Sequence, residues 1–234
     1  DLAGKITQYF RSIGIRKVYD SSFGSEISIW ATVKYLKDNY DKPAKDKAFI
    51  VNTCPAFINV VEMKYPQLMK KVIPVQSGPF CTAIYAHKYL NDTNKIAYLG
   101  PCIAKKDEII TKNTHNSINY NLTFNHIWQK IKDTDFSQYE DYYSDIKPIG
   151  FGRFTIRTGF YKTMISRFFS VKDISMVHSG AGDPTFKRIL MYINSEYENL
   201  QPLLAEVYAC TKGCFEGPGT ETSCYKDGEN FSRF

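Results

Sequence analysis

The stretch Ala48-Phe49-Ile50-Val51-Asn52-Thr53-Cys54-Pro55-Ala56-Phe57 decides how the rest of the chain is read. Its first four residues form an apolar run too short for a helix and suited to a strand buried on both faces. Cys54 ends that run. Pro55 stands at the favoured first position of a helix carrying Phe57, Val60, Val61, Tyr65 and Leu68. A thiol just ahead of a helix N-terminus meets free backbone N–H groups and the positive dipole end, which favours a thiolate or an anionic group. The segment therefore predicts strand, turn, cysteine and helix start.

The same arrangement returns downstream. Ile96-Ala97-Tyr98-Leu99 predicts a second short strand, followed by Gly100-Pro101-Cys102-Ile103-Ala104-Lys105-Lys106-Asp107-Glu108, with cations close behind the cysteine. Glu206-Val207-Tyr208-Ala209-Cys210-Thr211-Lys212-Gly213-Cys214-Phe215-Glu216-Gly217-Pro218-Gly219 carries a Cys-x-x-x-Cys pair. In a helical turn that pair would project both sulfurs onto one face, with Cβ atoms about 5–6 Å apart. Cys54, Cys102, Cys210 and Cys214 thus read as four thiolates converging on one buried metal centre. Cys81 has no spacing partner, and Cys224 lies in a polar tail.

Composition agrees. The 234 residues, 43% of them apolar, suffice for one large core or two lobes sharing one. Six cysteines in a chain of this size do not suggest a disulfide scaffold, which belongs to small secreted domains short of core. Net charge is +6, with 24 acidic residues interspersed among 30 basic ones, which is a solvated surface and no nucleic-acid arm. No run of about 18 apolar residues predicts a membrane span. The chain opens on Asp1-Leu2-Ala3-Gly4-Lys5, without Met or a signal-peptide pattern. The expectation is a single cytoplasmic domain over residues 1–234, cut from a longer chain or complex.

Between these landmarks the pattern predicts helices over Lys5 to Ile13, after the turn Asp20 to Ser25, and from Cys81 to about Leu90. Further helices are expected over Leu122 to Ile131, Thr163 to Phe169 and most of Lys187 to Leu204, with strands at Ile15 to Tyr19 and Ile174 to Val177. Asp38 to Lys47, Thr111 to Tyr120 and Asp133 to Asp145 read as connections, and two prolines and a glycine around Ser77 mark a constrained loop. His87, His115 and His126 have no ligand spacing. Ile149-Gly150-Phe151-Gly152 lacks the remaining glycines or the lysine of a nucleotide-binding loop.

Spacing also separates the metal chemistries. Structural zinc sites usually place a close cysteine pair in each half, whereas here two cysteines stand alone and one pair is close. The Cys-x2-Cys-x2-Cys of bacterial ferredoxin clusters is missing. In order and approximate separation, Asn52 to Ala56, Gly100 to Glu108 and Glu206 to Gly219 resemble the three signature segments of the [FeFe]-hydrogenase catalytic domain. Those run Thr-Ser-Cys-Cys-Pro, Met-Pro-Cys-x-x-Lys-x-x-Glu, and Glu-x-Met-x-Cys-x-x-x-Cys followed by glycines. Asp20 to Gly24 is similar to the family's Asp-x-x-Phe-Gly.

The resemblance implies an α/β fold of two lobes, each a twisted sheet flanked by helices, with the cluster in the cleft between them. It also implies a [4Fe–4S] cluster on Cys54, Cys102, Cys210 and Cys214, joined through Cys214 to a two-iron subsite with CO, cyanide and a bridging dithiolate. By position Lys105 matches the lysine that pairs with one cyanide, Ser77 resembles the serine at the other, and Glu108 matches a proton-path carboxylate. The implied reaction is reversible H2 oxidation and proton reduction. Its electron partner would be a ferredoxin or an accessory iron–sulfur domain, and maturation proteins would supply the two-iron subsite.

The departures are specific. The proton-transfer cysteine is Thr53, and a threonine hydroxyl does not ionise near neutrality, whereas a thiol with a pKa of about 8.5 exchanges protons there. The path's other carboxylates and its serine fall on Ala31, Thr32 and Ile73. The family's methionines become Gly100 and Tyr208, and Gly78-Pro79 replaces Pro-Gln after the serine. These losses resemble sensory or divergent branches, which leaves two expectations: a slow hydrogenase, or a non-turnover H2 sensor.

Overall fold

The computed structural model describes residues 1–40, 48–111, 114, 116–147, 150–169, 190, 191, 193 and 203–220. In chain order the named elements are helix α1 (Leu2–Ser12), helix α2 (Ser21–Asp38), strand β1 (Phe49–Ile50) and helix α3 (Pro55–Lys64). Helix α4 (Gly78–Tyr89), strand β2 (Ala97–Gly100), helix α5 (Lys105–Ile110) and strand β3 (Tyr120–Thr123) follow. Helix α6 (Phe124–Ile131), helix α7 (Phe160–Ile165) and strand β4 (Leu204–Ala205) complete the set. The fold is mixed α/β with small parallel sheets: β1 pairs with β4, and β2 with β3.

β1 sits where the apolar run predicts and is buried on both faces. Phe49 and Val51 enter a core formed by Ile29, Val33 and Leu36 of α2, with Tyr161, Met164 and Ile165 of α7. Ala48 and Ile50, pointing the other way as strand pleating requires, join Phe57 and Val61 of α3, Leu68, Val207 and Tyr208. Phe49 N–H donates to Leu203 O at 2.9 Å and Val51 N–H to Ala205 O at 3.0 Å. β4 therefore carries the third cysteine segment to the strand that delivers Cys54.

Several expectations are corrected. α2 begins at Ser21, because the Asp20 carboxylate caps it by accepting from Ser22 N–H at 2.8 Å. The Phe23-Gly24-Ser25 turn is thus helix. Gly24 is a contact residue: a Cβ there would run into the Gly78 carbonyl oxygen and the Thr82 backbone nitrogen of α4. Gly78-Pro79 likewise opens α4 at Gly78, ahead of Cys81, with Pro79 in the first turn. Tyr19 forms an isolated bridge to Ile146 in place of a strand. Pro66 ends α3 in a 3-10 turn, Pro66–Lys71, which carries Leu68. Tyr120–Thr123, read as the end of a loop and a helix start, is strand β3, and Leu204 is in strand β4 instead of a helix. α7 spans Phe160–Ile165, earlier than expected.

His115, the Ile174 to Val177 strand, most of the Lys187 to Leu204 helix and Cys224 lie outside the described residues. Among the described residues no helix is long and apolar enough to cross a membrane.

Candidate functional site

Backbone hydrogen bonds tie the three cysteine segments together. Cys54 is the N-cap of α3 in extended conformation, with Pro55 in the first turn, and is buried. Its sulfur accepts the Ala209 N–H at 3.4 Å, across 155 residues of chain. Gly219 N–H donates to Pro101 O at 2.9 Å, joining the Cys210/Cys214 segment to the Cys102 segment. Asn121 of β3 donates from its side chain to Cys102 O at 3.0 Å.

The Cys210/Cys214 pair is held differently from the expected helical turn. Gly213, at φ +71°, reverses the backbone between them, and a 3-10 turn, Gly213–Glu216, follows. Gly213 N–H returns to Cys210 O at 3.0 Å. The two sulfurs are brought to the same region by a glycine reversal.

The four thiols share one electrostatic neighbourhood. Burial pushes the Cys214 thiol up to about 12, with Cys54, Cys102 and Cys210 adding to the effect and Lys105 opposing it. The Cys54 thiol is raised by burial too, while the N–H groups of Ala209 and Phe57 and the Lys105 ammonium pull it back. Among the described residues no three His, Cys, Asp or Glu side chains form a group that could hold a metal ion. The sulfurs of one tetrahedral ion stand under about 4 Å apart, since each metal–sulfur bond is about 2.3 Å; a cubane of four irons and four sulfides spreads its thiolates wider. Cys81 sits on α4 within electrostatic reach of Lys105 and Glu108, donating to Gln76 O at 3.3 Å, and burial raises its thiol to about 11.

Ser77, Lys105 and Glu108 meet in one buried unit. The Lys105 ammonium donates to Ser77 Oγ at 2.7 Å and pairs with Glu108 Oε2, and Ser77 Oγ donates to Glu108 Oε1 at 2.6 Å. Ser77 and Lys105 are 3% and 6% exposed, so solvent screens the pair little. Lys106, the second lysine of the segment, is exposed.

Thr53 has a buried hydroxyl with no regular hydrogen-bond partner. It adjoins Tyr208, whose phenol burial holds well above its ordinary range with only a small opposing effect from Thr53, and the Tyr208 hydroxyl donates to Thr155 O at 2.8 Å. The same hydroxyl is 3.2 Å from Glu206 Oε1. Glu206, 1% exposed, also accepts Gly159 N–H at 3.1 Å and Lys162 N–H at 3.0 Å, and burial raises its carboxyl to about 7. Sequence spacing assigns Glu206 no role. Its signal was an acid inside the otherwise apolar run Leu203-Leu204-Ala205-Glu206-Val207-Tyr208-Ala209.

Similar folds occur in solved structures. The [FeFe]-hydrogenase HydA(deltaEFG), from work on stepwise H-cluster assembly, is 14% identical with a TM-score of 0.69, covering 93% of this chain and 73% of that one. An [FeFe]-hydrogenase from work on oxygen inactivation through the two-iron part of the H cluster is 13% identical with a TM-score of 0.70, covering 97% and 74%. A variant of HydA1 from Chlamydomonas reinhardtii is 14% identical with a TM-score of 0.65, covering 93% and 73%. At such identities these likenesses speak for the fold. The sequence profile of the iron only hydrogenase large subunit, C-terminal domain, matches residues 1–218, and the chain belongs to that family.

Proposed function

We propose that this chain holds a [4Fe–4S] cluster joined to a two-iron subsite and carries out slow, reversible H2 oxidation and proton reduction. The observation that carries this is the tying of Cys54, Cys102, Cys210 and Cys214 into one neighbourhood, with the buried Lys105 ammonium beside them. The donor set fits the group: four soft thiols suit iron–sulfur chemistry, and a buried cation offsets the charge of an anionic centre. Cys54, Cys102, Cys210 and Cys214 would be the ligands, with Cys214 shared with the two-iron subsite. When bound, that subsite supplies the metal chemistry at which H2 is split or formed.

The chain's own residues set the rest. Lys105, steadied by Ser77 and Glu108, presents the cation that would orient one cyanide ligand. Ser77 offers a hydroxyl within the same unit. Thr53, beside Cys54, relays protons by hydrogen bonding without ionising, which accounts for slow turnover. Electrons come from a ferredoxin or an attached iron–sulfur domain, maturation proteins deliver the two-iron subsite, and the expected location is the cytoplasm. The domain spans the whole of residues 1–234 as two lobes around the cluster, within a longer chain or complex.

The unpartnered Thr53 hydroxyl favours a second reading, an H2 sensor whose cluster state is read by a partner. Iron and acid-labile sulfide analysis of the matured protein, with infrared spectra of bound CO and cyanide, tests the cluster. Turnover with a low-potential dye, clearly above that of cluster-free protein, separates enzyme from pure sensor. Absence of both iron and the infrared bands after maturation overturns both readings.

A further inference from the structure

We infer that Glu206 is the interior proton-holding residue of this chain, exchanging protons with the edge of the thiol centre at Thr53 through the Tyr208 hydroxyl. The inference rests on the cluster reading above and adds to it a residue and a route.

The geometry comes first. Tyr208 has one hydroxyl hydrogen, and Thr155 O, an acceptor with no hydrogen of its own, takes it at 2.8 Å. The ionised Glu206 Oε1 competes for that hydrogen as an acceptor at 3.2 Å, and the protonated carboxyl can instead donate to the phenol oxygen. Tyr208 also adjoins Thr53, whose buried hydroxyl makes no regular hydrogen bond. Carboxyl, phenol and hydroxyl thus lead from Glu206 to the residue preceding Cys54.

The surroundings of Glu206 suit a proton held near neutrality. Facing it are Tyr208 from its own segment and, from α7, Tyr161, whose hydroxyl is bonded to Ser28 of α2 at 3.2 Å. The Gly159, Tyr161 and Lys162 N–H groups also face it, while the Lys162 side chain is exposed. No cation of the described residues pairs with the carboxylate. Burial opposes ionisation, and the Lys162, Tyr161 and Gly159 N–H groups together with the Tyr208 hydroxyl partly offset it, leaving the carboxyl at about 7. A cap for α7 needs neither that balance nor the contact with Tyr208.

The consequence is proton-coupled reduction. When a one-electron donor reduces the centre, the added negative charge favours the protonated acid, so a proton entering from solvent at Thr53 passes by way of the Tyr208 hydroxyl to the Glu206 carboxylate and forms an O–H bond there. Reoxidation breaks that bond and returns the proton. The donor loses the electron that the centre gains, and the interior charge stays level.

The test reconstitutes the four-iron cluster with iron and sulfide and follows its midpoint potential with dithionite as reductant. The potential of the unsubstituted protein should fall as pH rises from about 6 to about 8, with a slope that is lost in Glu206→Gln. Tyr208→Phe, which removes the hydroxyl but keeps the carboxyl, should retain the slope and slow the proton-linked phase of reduction. A flat potential in the unsubstituted protein overturns the inference, as does an unchanged slope in Glu206→Gln. A Tyr208→Phe protein that reduces as fast as the unsubstituted one overturns the route. If no cluster assembles, the cluster reading fails, and infrared spectra of the cluster-free protein decide the residue: a protonated-carboxyl band titrating near neutrality and missing from Glu206→Gln supports it, and its absence from the unsubstituted protein overturns it.

Discussion

Lys105 Nζ donates to Ser77 Oγ over 2.7 Å, joining the first residue of α5 to the residue that caps α4. With Glu108 bonded to both, the unit has a buried cation and a buried carboxylate that answer each other. Breaking such a pair leaves one charge buried and alone. Lys105→Met should therefore destabilise the cluster-free protein by about 3–5 kcal/mol, read from urea unfolding under anaerobic reducing conditions. Lys105→Met combined with Glu108→Gln should recover part of that loss, and strict additivity of the two would contradict the coupling.

Glu206 makes stability depend on pH. Its folded value of about 7 lies above the ordinary 4.5, so the folded state holds the proton more tightly. The contribution is complete below about 4.5 and is lost as pH rises through about 7, on the order of 3 kcal/mol in all. Glu206→Gln should flatten the urea midpoint between those pH values. An equal slope in the variant would place the dependence on other groups.

The contact between α2 and α4 has no room for a side chain at Gly24 or Gly78. Gly24→Ala gains helix propensity but meets backbone, and backbone yields poorly. The net effect should be a loss of about 1–3 kcal/mol, seen as a lower melting temperature with the secondary structure retained. A rise in melting temperature would mean the two helices separate easily.

Iron content should sort the cysteines. Serine in place of Cys54, Cys102, Cys210 or Cys214 should lower iron and sulfide after reconstitution, whereas Cys81→Ala should keep both, because the Cys81 thiol is engaged by Gln76 O and is not among the thiols that act on Cys214. Loss of iron in Cys81→Ala would redraw the ligand set.

Thr53→Cys restores an ionisable group beside Cys54. Turnover of the matured protein with a low-potential dye should rise by about tenfold or more, within the usual contribution of a positioned acid or base. No gain would show that proton delivery at this position is not the bottleneck.

Local chemistry was legible wherever a residue acts on its neighbours. Cys54-Pro55 as a helix start and Ala48 to Val51 as a doubly buried strand both follow from period and capping, which need no tertiary knowledge. Glycine misled for the opposite reason. Gly24 and Gly78 look like breakers in sequence, yet each is needed for a helix approaching from far along the chain. The short parallel strands β3 and β4 carry too few residues for a period to show, and their partners are distant. The Ser77, Lys105 and Glu108 unit was visible as three separate residues, but its mutual bonding spans 28 and 31 positions and had no local signal. The Thr53, Tyr208 and Glu206 line was hidden in the same way.

The sulfur of Cys54 and the amide of Ala209 meet across a separation of 155 positions along the chain. A thiol set closed by so long a loop does not exist on a half-made chain, and its entropy of closure is met last. The complete ligand set of the proposed centre therefore exists only once the chain has been made through Cys214, so the cluster cannot be completed on a shorter nascent chain.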